Sequence, residues 1–390
     1  MRLRKIVFWM HLSAGLIAGS IVLVMSVTGV LLAFERQLTE WADRDLRVAP
    51  PEPGALRLPI SALIASIRAA EPEAMPSGLT LRSDPAAPAA INLGRERIVF
   101  VNPYTGAVLG EGSKQARDFF RSVTNVHRWL GTPEENRAIG RAITGACNLA
   151  FLFLVTSGFF LWWPRQGTKN AGRAIVFPKA GLRGKARYFS WHNATGFWCA
   201  PVLFLIVLSG VLMSYPWATS LLYRVTGSEP PPSRAVTARR PPPPKEKSFI
   251  PDDVDRFWTI ADQRVPDWKT ISVRFETSPS APLTFSIEQG YRGRPDLRSQ
   301  LTLDPQTGEV VRWEPFASFN LGRRLRTWAR FAHTGEAGGA VGQMIAAFAS
   351  AGGALLVCTG FALAWRRFRE RKNRGQTIRV SESADVVEST

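Results

Sequence analysis

The sequence predicts an integral membrane α-helical bundle: four transmembrane helices, internally duplicated, with two small α+β domains outside the bilayer. Three observations predict it. Four stretches, roughly 7–34, 139–163, 189–215 and 339–365, are apolar over the ~20 residues a helix needs to cross the hydrocarbon core. Lys and Arg crowd three segments that alternate with two long connections. Short motifs of the first half return, in the same order, in the second.

At 390 residues the chain has room for two or three domains. Its first apolar stretch is too long for a secretory leader, and no small-residue cleavage site precedes Glu35-Arg36, so it reads as a retained helix. The first long connection, about 35–138, opens with Pro50-Pro51-Glu52-Pro53. A helical pattern follows, with Leu58, Ile60, Leu63, Ile64 and Ile67 on one face, then strand-like runs at 78–82, 90–93 and 97–101. The second, about 216–338, has prolines at 230–232 and 241–244, a helix at 251–263 and strands at 270–275, 283–288 and 301–303.

Asn102-Pro103-Tyr104-Thr105-Gly106 and Asp304-Pro305-Gln306-Thr307-Gly308 read as the same turn, with proline pre-setting it and glycine supplying positive φ. An amphipathic helix ending in His127 follows the first turn, and one ending in His333 follows the second. Thr132, Pro133 and Glu135 form a capping-box pattern ahead of the second membrane helix. Val155-Thr156-Ser157-Gly158-Phe159 also matches Val357-Cys358-Thr359-Gly360-Phe361. Each half thus reads membrane helix, external α+β segment, histidine helix, membrane helix. Two halves that each cross an even number of times share one orientation, related by an axis along the membrane normal.

A net charge of +18 would suggest nucleic acid as a partner of a soluble protein, but its placement argues otherwise. The cations cluster at Arg2, Arg4 and Lys5, in the short loop from Arg165 to Arg187, and in the tail from Arg366 to Arg374. This is the positive-inside pattern, with both termini cytoplasmic and no nucleic-acid partner. Cys147, Cys199 and Cys358 all fall in membrane helices, without CxxC or CxxCH spacing. That excludes a disulfide-stapled ectodomain and covalently attached haem.

The chain has only four histidines, all at duplicated positions. His11 and His192 each precede a glycine by four residues, and Gly-Val-Leu begins fourteen residues after that glycine. They lie near the cytoplasmic helix ends, while His127 and His333 lie at the external boundary. Equivalent residues across a two-fold axis converge at equal depth, the geometry that two axial ligands of one haem require. The natural pairs are His11 with His192 and His127 with His333. A zinc site is the rival reading; it is weaker because no Cys or carboxylate stands at ligand spacing beside them.

Gly15, Gly19, Gly29, Gly145, Gly158, Gly196, Gly210, Gly353 and Gly360 admit either a porphyrin approaching the backbone or ordinary small-residue helix packing. Arg117, Arg121, Arg128, Arg323, Arg324, Arg326 and Arg330 run against the positive-inside bias. Haem propionates, an anionic ligand, lipid headgroups or plain solvation each account for them. Phe119, Phe120, Trp129, Trp313, Phe316, Trp328 and Phe331 fit a substrate cleft or an interfacial belt. No hydrolytic constellation, phosphate loop or dinucleotide fingerprint appears.

The His11-Leu12-x-x-Gly15 opening, the two Pro-x-Thr-Gly turns, Val126-His127-Arg128-Trp129-Leu130 and Ala332-His333-Thr334-Gly335 resemble the PepSY-associated transmembrane family over nearly the full length. Within it the chain is most similar to inner-membrane ferrisiderophore reductases. The resemblance implies an oxidoreductase of the bacterial inner membrane with two non-covalent, bis-histidine b-type haems. It would reduce a periplasmic ferric siderophore and release Fe(II). The implied cofactor-binding residues are His11, His192, His127 and His333 on iron, with Arg128 and Arg330 beside them. Partners would be the ferric siderophore, membrane lipid and an electron donor, either a quinol or a cytoplasmic reductant. Two alternatives stand beside this: a quinol-linked di-haem carrier with a protein acceptor, and a non-redox siderophore- or peptide-binding permease or regulator. The expected division is helix 1 over 1–35, a PepSY-like domain over 36–115, histidine helix and helix 2 over 116–165, and a basic loop over 166–188. Helix 3 over 189–216, a Pro-rich linker over 217–247, a second PepSY-like domain over 248–318, histidine helix and helix 4 over 319–367, and a tail over 368–390 complete it.

Overall fold

The computed structural model describes residues 2–94, 97–163, 176–231 and 248–388, with side chains to residue 370. Arg165, Lys169 and Arg173 of the basic loop, prolines 232 and 241–244 of the linker, and the side chains of Arg371, Lys372 and Arg374 lie outside the described residues. The chain starts with α1 (Arg2–Leu32) and the short α2 (Glu35–Ala42), then α3 (Ile60–Ala70). Strands β1 (Pro76–Arg82), β2 (Ala89–Leu93), β3 (Arg97–Val101) and β4 (Val108–Gly110) precede α4 (Lys114–Trp129) and α5 (Arg137–Trp162). The second half gives α6 (Gly184–Ser214), α7 (Pro216–Val225) and α8 (Val254–Arg264). It continues with β5 (Thr270–Arg274), β6 (Leu283–Glu288), β7 (Arg298–Leu303), β8 (Val310–Pro315), α9 (Leu321–Thr334) and α10 (Gly339–Glu388).

The chain divides into two compact units, one of Met1–Phe34, Arg121–Ala218 and Ala332–Thr390, the other of Glu35–Phe120 and Thr219–Phe331. In the first unit, α1 and α6 each pack against both α5 and α10. Among the described residues, four helices are long and apolar enough to cross a membrane, as the four stretches predict. Ile17 at 81% and Phe348 at 76% exposure point outward from them, which lipid accommodates and water would not. Gln343 is 4% exposed, and its buried amide donates to the Ala33 carbonyl at 2.6 Å, the paired state that a polar group at this depth requires.

The second unit is built on an antiparallel sheet of order β4-β3-β2-β1-β5-β6-β7-β8. Alternation in β6 and β7 sends Leu283, Phe285, Ile287, Leu301 and Leu303 into a core shared with Leu63 and Ile67 of α3 and Phe257 of α8. The sequence reading has two small domains here, whereas the two strand sets share this one sheet. The cause is an edge: β1 and β5 would each end a four-strand set with unpaired backbone, and they pair with each other from Gly78↔Arg274 to Arg82↔Thr270. The sequence also misses β4 and β8, whose runs are too short or too exposed to show alternation.

The two predicted turns match bond for bond. Asn102 Oδ1 accepts from Tyr104 N at 2.9 Å, Asp304 Oδ1 accepts from Gln306 N at 2.8 Å, and Gly106 and Gly308 stand at φ 75° and 76°. The capping box does not form. The Thr132 hydroxyl donates back to the Trp129 carbonyl at 2.8 Å, and α5 starts only after a 3-10 turn at Glu134–Asn136. The Trp129 carbonyl at the end of α4 accepts both the hydroxyl and, at 3.1 Å, the backbone N–H of Thr132.

Candidate functional site

All four histidines belong to the helical unit, and each imidazole is fixed through Nδ1 by a hydroxyl on another helix. His11 Nδ1 meets Ser157 Oγ at 2.8 Å, and His192 Nδ1 meets Thr359 Oγ1 at 2.9 Å. His127 Nδ1 meets Thr28 Oγ1 at 2.8 Å, and His333 Nδ1 meets Ser209 Oγ at 3.2 Å and the Ile206 carbonyl at 2.8 Å. The hydroxyl protons are already committed within their own helices. Thr28 donates to Val24 O at 2.7 Å, Ser157 to Phe153 O at 2.6 Å, Thr359 to Leu355 O at 2.7 Å and Ser209 to Ile206 O at 2.7 Å. The hydroxyl oxygens therefore accept, and a carbonyl can only accept, so the network assigns the proton to Nδ1 of each histidine. Each Nε2 is left with its lone pair, the form in which imidazole binds a metal.

The histidines occupy two levels. His11 and Thr28, the partner of His127, stand 17 residues apart on α1, about 25 Å at 1.5 Å per residue. His192 and Ser209, the partner of His333, repeat that spacing on α6. At one level the His127 and His333 rings lie 6.3 Å apart centre to centre, with planes at 67°. At the other, His11 and His192 line one cavity of about 1190 Å³, near the upper end of the volumes that cofactors occupy. Gly15, Gly19, Gly158, Gly196 and Gly360 line the same cavity, with Arg4, Lys5, Lys185 and Arg367 among its cations.

Each of the four hydroxyl residues stands directly before a glycine: Thr28-Gly29, Ser157-Gly158, Ser209-Gly210 and Thr359-Gly360. A Cβ at Gly29, Gly158 or Gly360 would come within 3.7, 3.4 and 3.6 Å of Cε1 of His127, His11 and His192. A methyl there would press on the ring edge next to Nε2. Gly210 differs, since its neighbour is the Asn148 amide at 2.9 Å, which donates to Val207 O. Gly145 and Gly353 face Tyr215 and Ser26 and serve helix packing.

The chain turns sharply after each histidine helix, at Leu130 and Gly131 (φ 56° and 71°) and at Gly335 (φ 75°). Each turn lies on a glycine of the next helix. A Cβ at Gly140 would stand 2.2 Å from the Trp129 carbonyl oxygen, and one at Gly342 would stand 2.3 Å from that of Gly335. The seat of each histidine helix therefore depends on a glycine nine or more positions after its histidine that carries no chemistry.

The two arginines expected beside the outer pair go separate ways. Arg128 stacks on Trp129, 4.6 Å from guanidinium to ring, with Arg137 at 4.7 Å from the same ring. Arg330 belongs to the sheet unit and lines a pocket there. Arg117 pairs with Asp43, and Arg323 pairs with Glu314 at 2.7 Å, so both have structural partners. Among the described residues, no group of three or more His, Cys, Asp or Glu is placed to hold a metal ion, which leaves the zinc reading without a ligand set.

The hydroxyls are the site residues that sequence reasoning missed. Their signal was present as a Ser/Thr-Gly pair in every membrane helix. No curated protein matches the chain. A family model described as the PepSY-associated TM region matches residues 8–367, a span that contains all four histidines, their hydroxyls and most of the four apolar helices. The chain is a multi-pass membrane protein and belongs to the PepSY-associated TM family.

Proposed function

We propose that this protein is a di-haem b oxidoreductase of the bacterial inner membrane that passes electrons outward to a periplasmic ferric siderophore. The observation that carries the reading is the set of four histidines, each with Nδ1 bound and Nε2 available, arranged in two levels. His127 and His333, with ring centres 6.3 Å apart, would hold one haem iron between them. The glycines beside Cε1 keep the space next to three of the four Nε2 atoms free of side chain.

Haem bound at each pair would supply one-electron chemistry at iron. The chain's own contribution is to orient: Ser157, Thr359, Thr28 and Ser209 fix the tautomer and the ring plane. Arg4, Lys5 and Arg367 at the inner cavity are placed to balance carboxylates, with Lys185 already paired to Glu370 at 2.6 Å. One cofactor cannot bridge ~30 Å of hydrocarbon, whereas two levels about 25 Å apart on one helix divide that distance. His11 and His192 would hold the haem that takes an electron from a quinol or a cytoplasmic reductant, and His127 and His333 the haem that would pass it to Fe(III) of the siderophore, giving weakly held Fe(II). In this reading both termini are cytoplasmic, the sheet unit is periplasmic, and the two halves descend from one duplicated ancestor.

The test is a reduced-minus-oxidised spectrum with haem quantification. Protein purified from haem-replete cells should carry b-type haem at about two per chain, and should oxidise on adding a ferric siderophore. Haem-free protein under those conditions would sink the proposal.

A further inference from the structure

The sheet unit contains a second site that the histidines do not use. Arg82, Thr270, Glu288 and Arg298 lie directly opposite one another across β1, β5, β6 and β7. Cross-strand partners share a face, so these four form one row. The preceding or following residues Leu81, Ile271 and Ile287 point the other way, into the core beneath α3 and α8. The row is thus on the face that the core helices leave uncovered, and it floors a pocket of about 670 Å³. Arg36 and Glu40 of α2, Arg330 and Phe331 of α9, and Lys269 and Arg292 form its walls.

The lining carries six cations, Arg36, Arg82, Lys269, Arg292, Arg298 and Arg330, against two carboxylates, Glu40 and Glu288. Arg82 pairs with Glu40 at 3.2 Å, and Arg298 pairs with Glu288. Arg36 lies 3.9 Å from the same Glu40, and cations outnumber carboxylates in the lining by four. Arg82 and Arg298 stand three strand spacings apart on the backbone, about 14 Å, so the row spreads its cations along the pocket floor. Guanidinium forks match planar carboxylates, and the Phe331 ring, 5.8 Å below the Arg298 guanidinium, adds an apolar floor. We propose that this pocket binds a compact polycarboxylate anion and, resting on the reductase reading, that its ligand is a ferric chelate of net negative charge. Arg330 stands three residues before His333 on α9, so one helix carries both the ligand contact and the redox-level imidazole.

The test is calorimetric titration of gallium(III) citrate into the full-length protein in zwitterionic nanodiscs. Gallium is not reduced, so binding reports on the pocket even in protein without haem, which separates this proposal from the reductase reading. Wild type should bind, Lys269→Glu should weaken binding at least tenfold, and Lys269→Arg should retain it. Arg82→Ala gives a second measure on the pocket floor, with a similar loss expected. A neutral ferric trihydroxamate should not compete. No binding by wild type, or binding unchanged in both variants, overturns the proposal. So does binding abolished in nanodiscs containing phosphatidylglycerol, which would assign the pocket to lipid headgroups.

Discussion

At the scale of single residues, the four imidazoles are the part of the site the sequence displays most openly. The chain has no other histidines, and each has a counterpart in the other half. Their hydroxyl partners are less legible. Thr28 and His127 are 99 residues apart and meet only because α1 and α4 share a unit, a contact that no local periodicity encodes. Thr28→Val removes the acceptor while keeping the shape; a lost orienting partner weakens metal binding by about 10–100-fold. The expected outcome is a fall in outer-level haem occupancy in the redox difference spectrum, with Thr28→Ser close to wild type. On the di-haem proposal, His127→Ala or His333→Ala should leave about one haem per chain. At the second turn, amides of Thr307 and Gln306 donate to Asp304 and hold its carboxyl below the usual range. A depressed folded value means the stabilisation is complete above the ordinary carboxylate pKa, about 3.9, and is lost as pH falls through the folded value. Asn102 plays the same part at the first turn without a titrating proton. Asp304→Asn should therefore flatten the acid limb of a urea-stability curve measured between about pH 5 and pH 2.5.

At the scale of elements, the apolar helices and the strands with clear alternation are read correctly because burial imposes a period on the sequence. Helix ends are read less well. Thr132 has the right neighbours for a capping box, yet the Trp129 carbonyl takes its proton. The seats of the histidine helices are silent in the sequence, since a glycine under a carbonyl looks like any other small residue. Gly140→Ala and Gly342→Ala both force a backbone contact far inside van der Waals distance. Each should displace its histidine helix and lower outer haem occupancy, while the inner level keeps its spectrum. Low-temperature electron paramagnetic resonance would resolve the two levels and check this. In the sheet, Leu79 is fully buried at the β1–β5 seam. Leu79→Ala should cost about 2–5 kcal/mol of that unit's stability in chemical denaturation.

At the scale of the whole molecule, charge placement predicts orientation, and the family assignment over residues 8–367 agrees with a membrane protein of four spans. Fluorescent protein fused after the tail should fold and fluoresce, and alkaline phosphatase inserted in the β6–β7 connection should be active; the opposite pattern would invert the topology. What the sequence hides at this scale is the union of its two external segments, because a pairing between distant edges leaves no mark on either. That union has a consequence for biogenesis. Leu79 pairs with Val273, 194 residues further along, so the edge of β1 opposite β2 has no partner until the second half has been made and its strands delivered. At about 5–20 residues per second, a half-made sheet waits roughly 10–40 s with its inner edge open. The nascent chain then needs either a chaperone on that edge or fast passage of α5 and α6, and slowed translation between residues 82 and 270 should raise its aggregation more than slowing after 315.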